Sequence, residues 1–157
     1  MPIKIFIHGL ESSNRGTKGL FFKERYPDMV VPHFKGALPE RMKGLRSILA
    51  GESQIRIVGS SFGGLMATLY AMENEPGVER LILLAPAIHI LGTRGSTTRR
   101  ISIPATIYHG TKDEVIPLEK VEEVAQEVFS NLSFHRVEDD HFLHGTFKAI
   151  NWDQLLS

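Results

Sequence analysis

The chain contains the stretch Gly59-Ser60-Ser61-Phe62-Gly63-Gly64, which follows the apolar run 55–58 and precedes a helix-like segment at 65–75. Its pattern is Gly-x-Ser-x-Gly with Ser61 at the centre, and its context is typical of an abrupt strand-to-helix turn. Such a turn is strained and crowded, so only very small residues fit two positions before and after the serine. The pattern predicts that the Ser61 hydroxyl stands above the end of a strand, beside the first N–H groups of a helix.

The same five-residue pattern also has a simpler explanation. Three fixed positions of common residue types arise by chance in roughly one chain in twenty of this length. A glycine-rich turn whose serines cap a helix would give the same letters. The hypothesis of a nucleophilic serine therefore depends on partner residues elsewhere in the chain.

Composition limits the classes of protein to which this chain can belong. Its 157 residues are 42% hydrophobic and 23% charged, which predicts a single domain over residues 1–157. Basic and acidic residues number 18 each, so no net field favours nucleic acid or an anionic membrane. Cysteine is absent, which excludes disulfides and Cys-ligated zinc and fits a cytoplasmic location. No apolar run approaches the roughly 20 residues of a membrane span, and the apolar run 3–7 predicts a strand instead of a signal peptide.

Apolar runs and helical repeats alternate along the whole chain. The predicted strands cover residues 3–7, 29–32, 55–58, 81–85, 103–108 and 132–137, and the predicted helices cover 16–26, 40–50, 65–75, 121–128 and 144–156. Strands that read as unbroken apolar runs are typical of a parallel sheet covered on both faces. The predicted fold class is therefore α/β, a three-layer α/β/α sandwich with a mostly or wholly parallel sheet of about six strands. Ligands of such sheets bind beyond the carboxyl ends of the strands, where every candidate residue below is found.

A serine hydroxyl is a weak nucleophile at neutral pH and needs a base, which in turn needs an orienting acid. Among seven histidines, His141 lies in a polar loop directly after the last predicted strand, where its ring could reach Ser61. The acid is placed at Asp113, directly after the preceding strand, although an aspartate before a proline-opened helix can equally be a turn or cap residue. The alternative acids are Asp139, Asp140 and Glu114.

Two backbone N–H groups are expected to stabilise an oxyanion beside Ser61. One belongs to the residue after the nucleophile, Phe62, and the other to the loop after an early strand, here Leu10. Gly9 would let that loop approach a bound oxygen closely, and His8 is interpreted as a buried hydrogen-bonding brace instead of a proton carrier. The histidines show no metal-ligand spacing such as His-Glu-x-x-His, so we predict no metal site.

The loops around Ser61 predict a small apolar acyl pocket with a polar mouth. The main pocket candidates are Glu11, Ile88, Val115 and Phe142, and beside them stand Leu10, Phe62 and the rest of the mainly apolar segment 87–91. A Gly/Ser/Thr-rich loop nearby carries three arginines, at Arg94, Arg99 and Arg100. These arginines either attract an acidic leaving group, such as the phosphates of coenzyme A, or simply form a solvated loop.

The chain resembles the α/β-hydrolase superfamily in the order Ser61, Asp113, His141, in the His8-Gly9 loop and in the segment His109-Gly110-Thr111-Lys112-Asp113. Among its members the chain is most similar to compact, lidless serine esterases of the YqiA-like and retinoblastoma-binding-protein-9-like kinds. The resemblance implies a minimal hydrolase fold and a Ser-His-Asp triad that acts on small-molecule esters or thioesters without a cofactor. The chain departs from the superfamily by starting with the oxyanion-hole strand. It leaves only residues 86–102 where a cap domain is often inserted, so no cap domain is expected.

Three functions are compatible with these residues. The first is a serine hydrolase that cleaves carboxylic esters of small or medium acyl groups through an acyl-enzyme. The second is an acyl-CoA or acyl-protein thioesterase, which would use the same chemistry. The third is a non-catalytic binding module that retains the fold, although degenerate hydrolases usually lose a triad member and all three positions are filled here.

Overall fold

The computed structural model describes residues 2–10, 12–92 and 99–157, and within them it contains one five-stranded sheet. The strands lie side by side in chain order: β1 (Ile3–Ile7), β2 (Ile55–Ser60), β3 (Val78–Leu84), β4 (Ala105–Gly110) and β5 (Leu132–Val137). All four pairings are parallel. The predicted α/β class with a wholly parallel sheet is therefore confirmed.

The sheet has five strands instead of about six because the segment 29–32 makes only a single parallel bridge to β1. The Val30 N–H donates to the Lys4 carbonyl, and the Val30 carbonyl accepts from the Phe6 N–H. The next carbonyl, that of Val31, accepts instead from the side-chain amide of Asn14. Pro32 has no N–H with which to continue the ladder. The segment does lie at the sheet edge, as its proline predicted.

The helices cover both faces of the sheet. They are α1 (Thr17–Arg25), α2 (Leu38–Leu49), α3 (Phe62–Glu73), the short α4 (His89–Gly92), α5 (Leu118–Val128) and α6 (Trp152–Leu155). Alternate strand residues point to opposite faces, so Ile5 and Ile7 belong to the apolar cluster that includes buried residues of α2, α3 and α5. Phe6, between them, packs on the other face against Phe22 of α1 and Trp152 of α6. The two apolar clusters are the two cores of a three-layer sandwich.

The chain between β3 and β4 contributes only α4 to the described structure. No cap domain is found in the residues that the structure describes, in agreement with the short 86–102 segment. The longest helices in the described residues are α2 and α3, with 12 residues each. No helix of the described ranges has the length and apolar character needed to cross a membrane.

The last helix is much shorter than the predicted 144–156. A 3-10 turn at Phe147–Ala149 is followed by extended backbone at Ile150 and then by α6. Asn151 begins α6 as a separate helix. Its side chain accepts from the Gln154 N–H, which is the preferred role of asparagine at a helix N-cap. The Trp152 indole N–H also donates to the Phe147 carbonyl, which holds the two short pieces together.

Candidate active site

The turn between β2 and α3 has the crowded geometry that its glycines predicted. Ser61 has φ 55° and ψ −116°, a positive φ that non-glycine residues rarely adopt. A Cβ on Gly59 would lie 2.5 Å from the Gly63 carbonyl oxygen, and a Cβ on Gly63 would overlap the Ile7 carbonyl. The Ser61 N–H donates to the Leu84 carbonyl over 2.9 Å, which anchors the strained residue to β3. The glycines are therefore needed for space, and the turn presents the Ser61 side chain beyond the end of β2.

The structure brings Ser61, His141 and Asp113 together from three different loops. The Ser61 Oγ lies 3.1 Å from His141 Nε2, and His141 Nδ1 lies 2.7 Å from Asp113 Oδ2. The ring is thus positioned to accept the serine proton at Nε2 while donating its Nδ1–H to the carboxylate. The three side chains meet because each follows one of the parallel strands β2, β4 and β5, whose carboxyl ends lie at the same edge of the sheet.

Asp113 is the carboxylate that contacts the His141 ring. Its side chain is fully buried, and its Oδ1 accepts from the N–H groups of Val115 and Ile116, each over 2.8 Å. The other acids that the sequence left open have different surroundings. Asp139 and Asp140 bind groups of their own loop, and Glu114 is exposed.

Asp139 shapes the loop that carries His141. Its Oδ1 accepts from the Asp140 N–H, and its Oδ2 accepts from the N–H groups of Gly145 and Thr146. Burial raises the pKa of Asp139, but these hydrogen bonds outweigh burial and hold the pKa below its ordinary value. The carboxylate is therefore a brace of the 139–146 loop.

Lys18 ties the same loop to α1. Its Nζ donates to the Phe142 carbonyl over 2.8 Å and lies 5.5 Å from the centre of the Phe147 ring. Burial lowers the pKa of Lys18, partly opposed by the charges of Asp140 and Asp139. The sequence reasoning missed this residue. The available signal was its place in the first turn of α1, where the helix dipole disfavours a cation that has no other partner.

The candidate oxyanion loop lies directly beside Ser61. A Cβ on Gly9 would be 3.3 Å from Ser61 Cβ, a tight contact that glycine avoids. Within the described ranges, neither the Leu10 N–H nor the Phe62 N–H has a hydrogen-bond acceptor. An oxyanion site needs two such unpaired N–H donors close to the nucleophilic hydroxyl.

His8 braces that loop from below. The ring is almost fully buried, its Nε2 accepts from the Phe34 N–H over 2.8 Å, and its Nδ1 is 2.7 Å from the Gly9 carbonyl oxygen. Nδ1 therefore carries the proton, and burial lowers the pKa of the ring, which keeps it neutral. Its interpretation as a hydrogen-bonding brace agrees with these contacts.

A cavity of about 560 Å³ opens beside Ser61 and His141. Its apolar lining consists of Phe6, Leu10, Phe62, Ala87, Val115, Phe142, Leu143 and Phe147, and its polar lining includes Ser12, Thr17, Lys18, His144 and Lys148. Leu10, Val115 and Phe142 stay 50%, 64% and 57% exposed, so they form an open apolar rim. A volume of this size suits a small or medium ligand.

Two of the four main predicted pocket residues, Val115 and Phe142, line this cavity. Ile88 does not line the cavity, because its side chain is fully buried in the core formed with α3 and α5. Its neighbour Ala87 takes that place in the wall. Glu11, the fourth candidate, lies outside the described residues. The sequence indicated an apolar segment here but not which of its residues faces the ligand.

Arg99 and Arg100 do not line the cavity. Arg99 binds the Met72 carbonyl and the Glu75 carboxylate, and Arg100 binds two carbonyls at the end of α5. These contacts give no support to Arg99 and Arg100 as a site for an acidic leaving group. Arg94 lies outside the described residues. In the ranges that the structure covers, no group of three His, Asp or Glu side chains is arranged to hold a metal ion.

Solved structures with the same fold are α/β hydrolases. They include Est1E from Butyrivibrio proteoclasticus with bound ferulic acid (17% identity, 99% of this chain and 88% of that chain, TM-score 0.76). Mouse alpha/beta hydrolase domain-containing protein 10 is also similar (20% identity, 93% and 83% covered, TM-score 0.73). So is an alpha-beta serine hydrolase homologue from Coxiella burnetii (20% identity, 98% and 83% covered, TM-score 0.71). At these identities the similarity establishes the fold alone.

A comparison with curated proteins found no match. The model of the dienelactone hydrolase family, in contrast, matches residues 23–139, well over half of the chain. The matched segment contains Ser61 and Asp113, and it ends two residues before His141. The chain is therefore a hydrolase of the α/β superfamily, and it belongs to the dienelactone hydrolase family.

Proposed function

We propose that this protein is a serine hydrolase that cleaves carboxylic esters of small or medium acyl groups through an acyl-enzyme. The observation that carries the proposal is the position of the His141 ring, with Nε2 3.1 Å from Ser61 Oγ and Nδ1 2.7 Å from Asp113 Oδ2. In a hydrolase, this arrangement supplies a nucleophile, its base and the acid that orients the base.

In the proposed mechanism, the Ser61 hydroxyl attacks the ester carbonyl carbon while His141 Nε2 takes its proton. The tetrahedral oxyanion accepts hydrogen bonds from the Leu10 and Phe62 N–H groups, each worth roughly 3 kcal/mol in comparable sites. His141 then gives the proton to the leaving oxygen, the carbon–oxygen bond breaks, and the acyl group remains on Ser61. Water repeats the two steps and releases the acid.

Asp113 contributes to these reaction steps through the His141 ring. A carboxylate fixed by two backbone N–H groups keeps the proton of His141 on Nδ1 and stabilises the imidazolium that forms when Nε2 is protonated. Full burial of the carboxylate strengthens that interaction because little water screens it.

The cavity supports the choice of substrate class. Its walls are mostly apolar and its rim is open, which favours small-molecule substrates with short or medium acyl chains over deeply enclosed lipids. Neither the proposed chemistry nor the residues at the site call for a cofactor.

Labelling with an active-site fluorophosphonate tests the proposal. The wild-type protein is expected to be labelled and the Ser61→Ala variant is not, and the wild type should hydrolyse p-nitrophenyl esters from acetate to octanoate. A folded wild-type sample that neither labels nor hydrolyses would favour a non-catalytic binding module. Oxygen esters and thioesters with equal acyl chains, compared by kcat/KM, separate an esterase from an acyl-CoA or acyl-protein thioesterase.

A further inference from the structure

A second histidine, His109, contacts the Asp113 carboxylate from the inside of the molecule. It is the fifth residue of β4 and its side chain is 0% exposed. Its Nε2 lies 2.9 Å from the Ile116 carbonyl oxygen and 3.2 Å from Asp113 Oδ2. The proposed mechanism makes no use of this buried, titratable ring.

The contacts determine which nitrogen of His109 carries the proton. Both neighbouring acceptors lie at Nε2, whereas Nδ1 is buried without a hydrogen-bond partner among the described residues. The ring is therefore the neutral tautomer with its proton on Nε2, which donates to the Ile116 carbonyl while Nε2 stays 3.2 Å from the carboxylate. Burial lowers the pKa of His109, and the charged forms of the facing His141 and His89 lower it further, whereas the Ile116 carbonyl and Asp113 oppose the shift.

Asp113 consequently has donors on all sides. Oδ1 accepts from two backbone N–H groups, Oδ2 accepts from His141 Nδ1, and His109 Nε2 lies 3.2 Å from Oδ2 on its inner side. Without His109, Oδ2 would be held only by the ring that it has to orient. The two backbone N–H groups hold Oδ1, so loss of the His109 contact would loosen the carboxylate only at Oδ2, the oxygen that faces His141.

We propose that His109 is a positioning residue, whose Nε2 holds Oδ2 of Asp113 in the place from which it orients His141. This inference rests on the proposed hydrolase function. It assigns His109 no contact with substrate, and its effect on turnover passes entirely through Asp113.

Three substitutions separate this role from core packing. In His109→Gln the amide nitrogen reaches the position of Nε2, whereas in His109→Asn it reaches only the position of Nδ1, away from Asp113. His109→Leu retains volume and removes every donor. We expect kcat for p-nitrophenyl acetate to fall about tenfold in the Asn and Leu variants, because the polar contact with the buried carboxylate is lost. KM should stay unchanged, and Gln should recover most of the activity.

A double-mutant cycle tests whether the effect passes through Asp113. In the Asp113→Asn background, His109→Leu is expected to cause no further loss of kcat, because there is no carboxylate left to orient. Equal losses in both backgrounds, or equal kcat in the Gln and Asn variants, would overturn the proposal. If His109→Leu fails to fold, the comparison of Gln with Asn remains decisive. Labelling of the wild type by the fluorophosphonate keeps a failure of this inference distinct from a failure of the proposed function.

Discussion

His141 and Asp113 lie 28 residues apart in the chain, yet Nδ1 of the ring and Oδ2 of the carboxylate are 2.7 Å apart. Within the described residues, no other carboxylate contacts this ring. The contact fixes the ring proton on Nδ1 and leaves the Nε2 lone pair facing Ser61.

Replacing Asp113 by asparagine tests this arrangement. The amide group can donate to Nδ1 and so stabilise the wrong tautomer, in which Nε2 carries the proton and cannot accept from Ser61. We expect kcat to fall by roughly 10³- to 10⁴-fold with little change in melting temperature. Asp140→Asn is the matched control and should retain most activity. A silent Asp113→Asn together with an inactive Asp140→Asn would show that the acid is wrongly assigned.

Gly63 and Gly44 should respond in opposite ways to alanine. A Cβ on Gly63 would overlap the Ile7 carbonyl, so Gly63→Ala is expected to lower the free energy of unfolding by about 2–3 kcal/mol. A Cβ on Gly44 of α2 would meet only the Phe34 ring, at 3.9 Å. Gly44→Ala should therefore raise the free energy of unfolding by about 0.5–1 kcal/mol. Urea denaturation of both variants measures the difference. Equal stability of the two would contradict the crowding inferred for the turn.

The Asp139 brace predicts a dependence of stability on pH. The folded state holds the pKa of Asp139 below its ordinary value of 3.8, so the carboxylate stabilises the fold above that pH. This contribution disappears as the pH falls through the folded-state pKa. Asp139→Asn should therefore be less stable than the wild type at pH 7, and the gap should close in the acid range.

Thermal denaturation from pH 7 to pH 3 measures that gap. Asp28→Asn is a suitable control because the Asp28 side chain is 79% exposed, with Lys4 Nζ as its ion-pair partner at 4.0 Å. Its melting temperature should follow that of the wild type at every pH. A gap for Asp139→Asn that stayed constant with pH would attribute the loss to shape instead of charge.

Val115 is expected to contribute to the choice of acyl chain. Its exposed side chain forms part of the cavity rim, and each methylene of substrate that it covers gains up to about 0.8 kcal/mol. Val115→Ser should raise KM for p-nitrophenyl hexanoate about threefold and leave the acetate ester unaffected. Leu20→Ser, on an exposed apolar residue of α1 outside the cavity, is the control and should change neither value. An equal change for both esters would remove Val115 from the acyl site.

Local patterns predicted most of the fold. Each of the first four strands coincides with a mainly apolar run, since strands covered on both faces are mainly apolar, whereas the edge strand β5 alternates apolar and polar residues. The segments 29–32 and 144–156 were predicted less well. In each, a side chain competes for the backbone: the Asn14 amide takes the Val31 carbonyl, and the Asn151 carbonyl caps a new helix. Competition of this kind depends on the folded surroundings and is invisible to periodicity.

For the candidate site, the sequence by itself determined the strained turn at Ser61 and the loops that carry Asp113 and His141. It did so because glycine spacing and strand ends are local properties of the chain. Only the tertiary structure showed which of the four acids contacts the His141 ring, placed Ile88 outside the cavity, and brought Lys18 and His109 to their partners. These outcomes depend on distances between atoms far apart in sequence, which the packing of helices on the sheet sets to within a hydrogen bond.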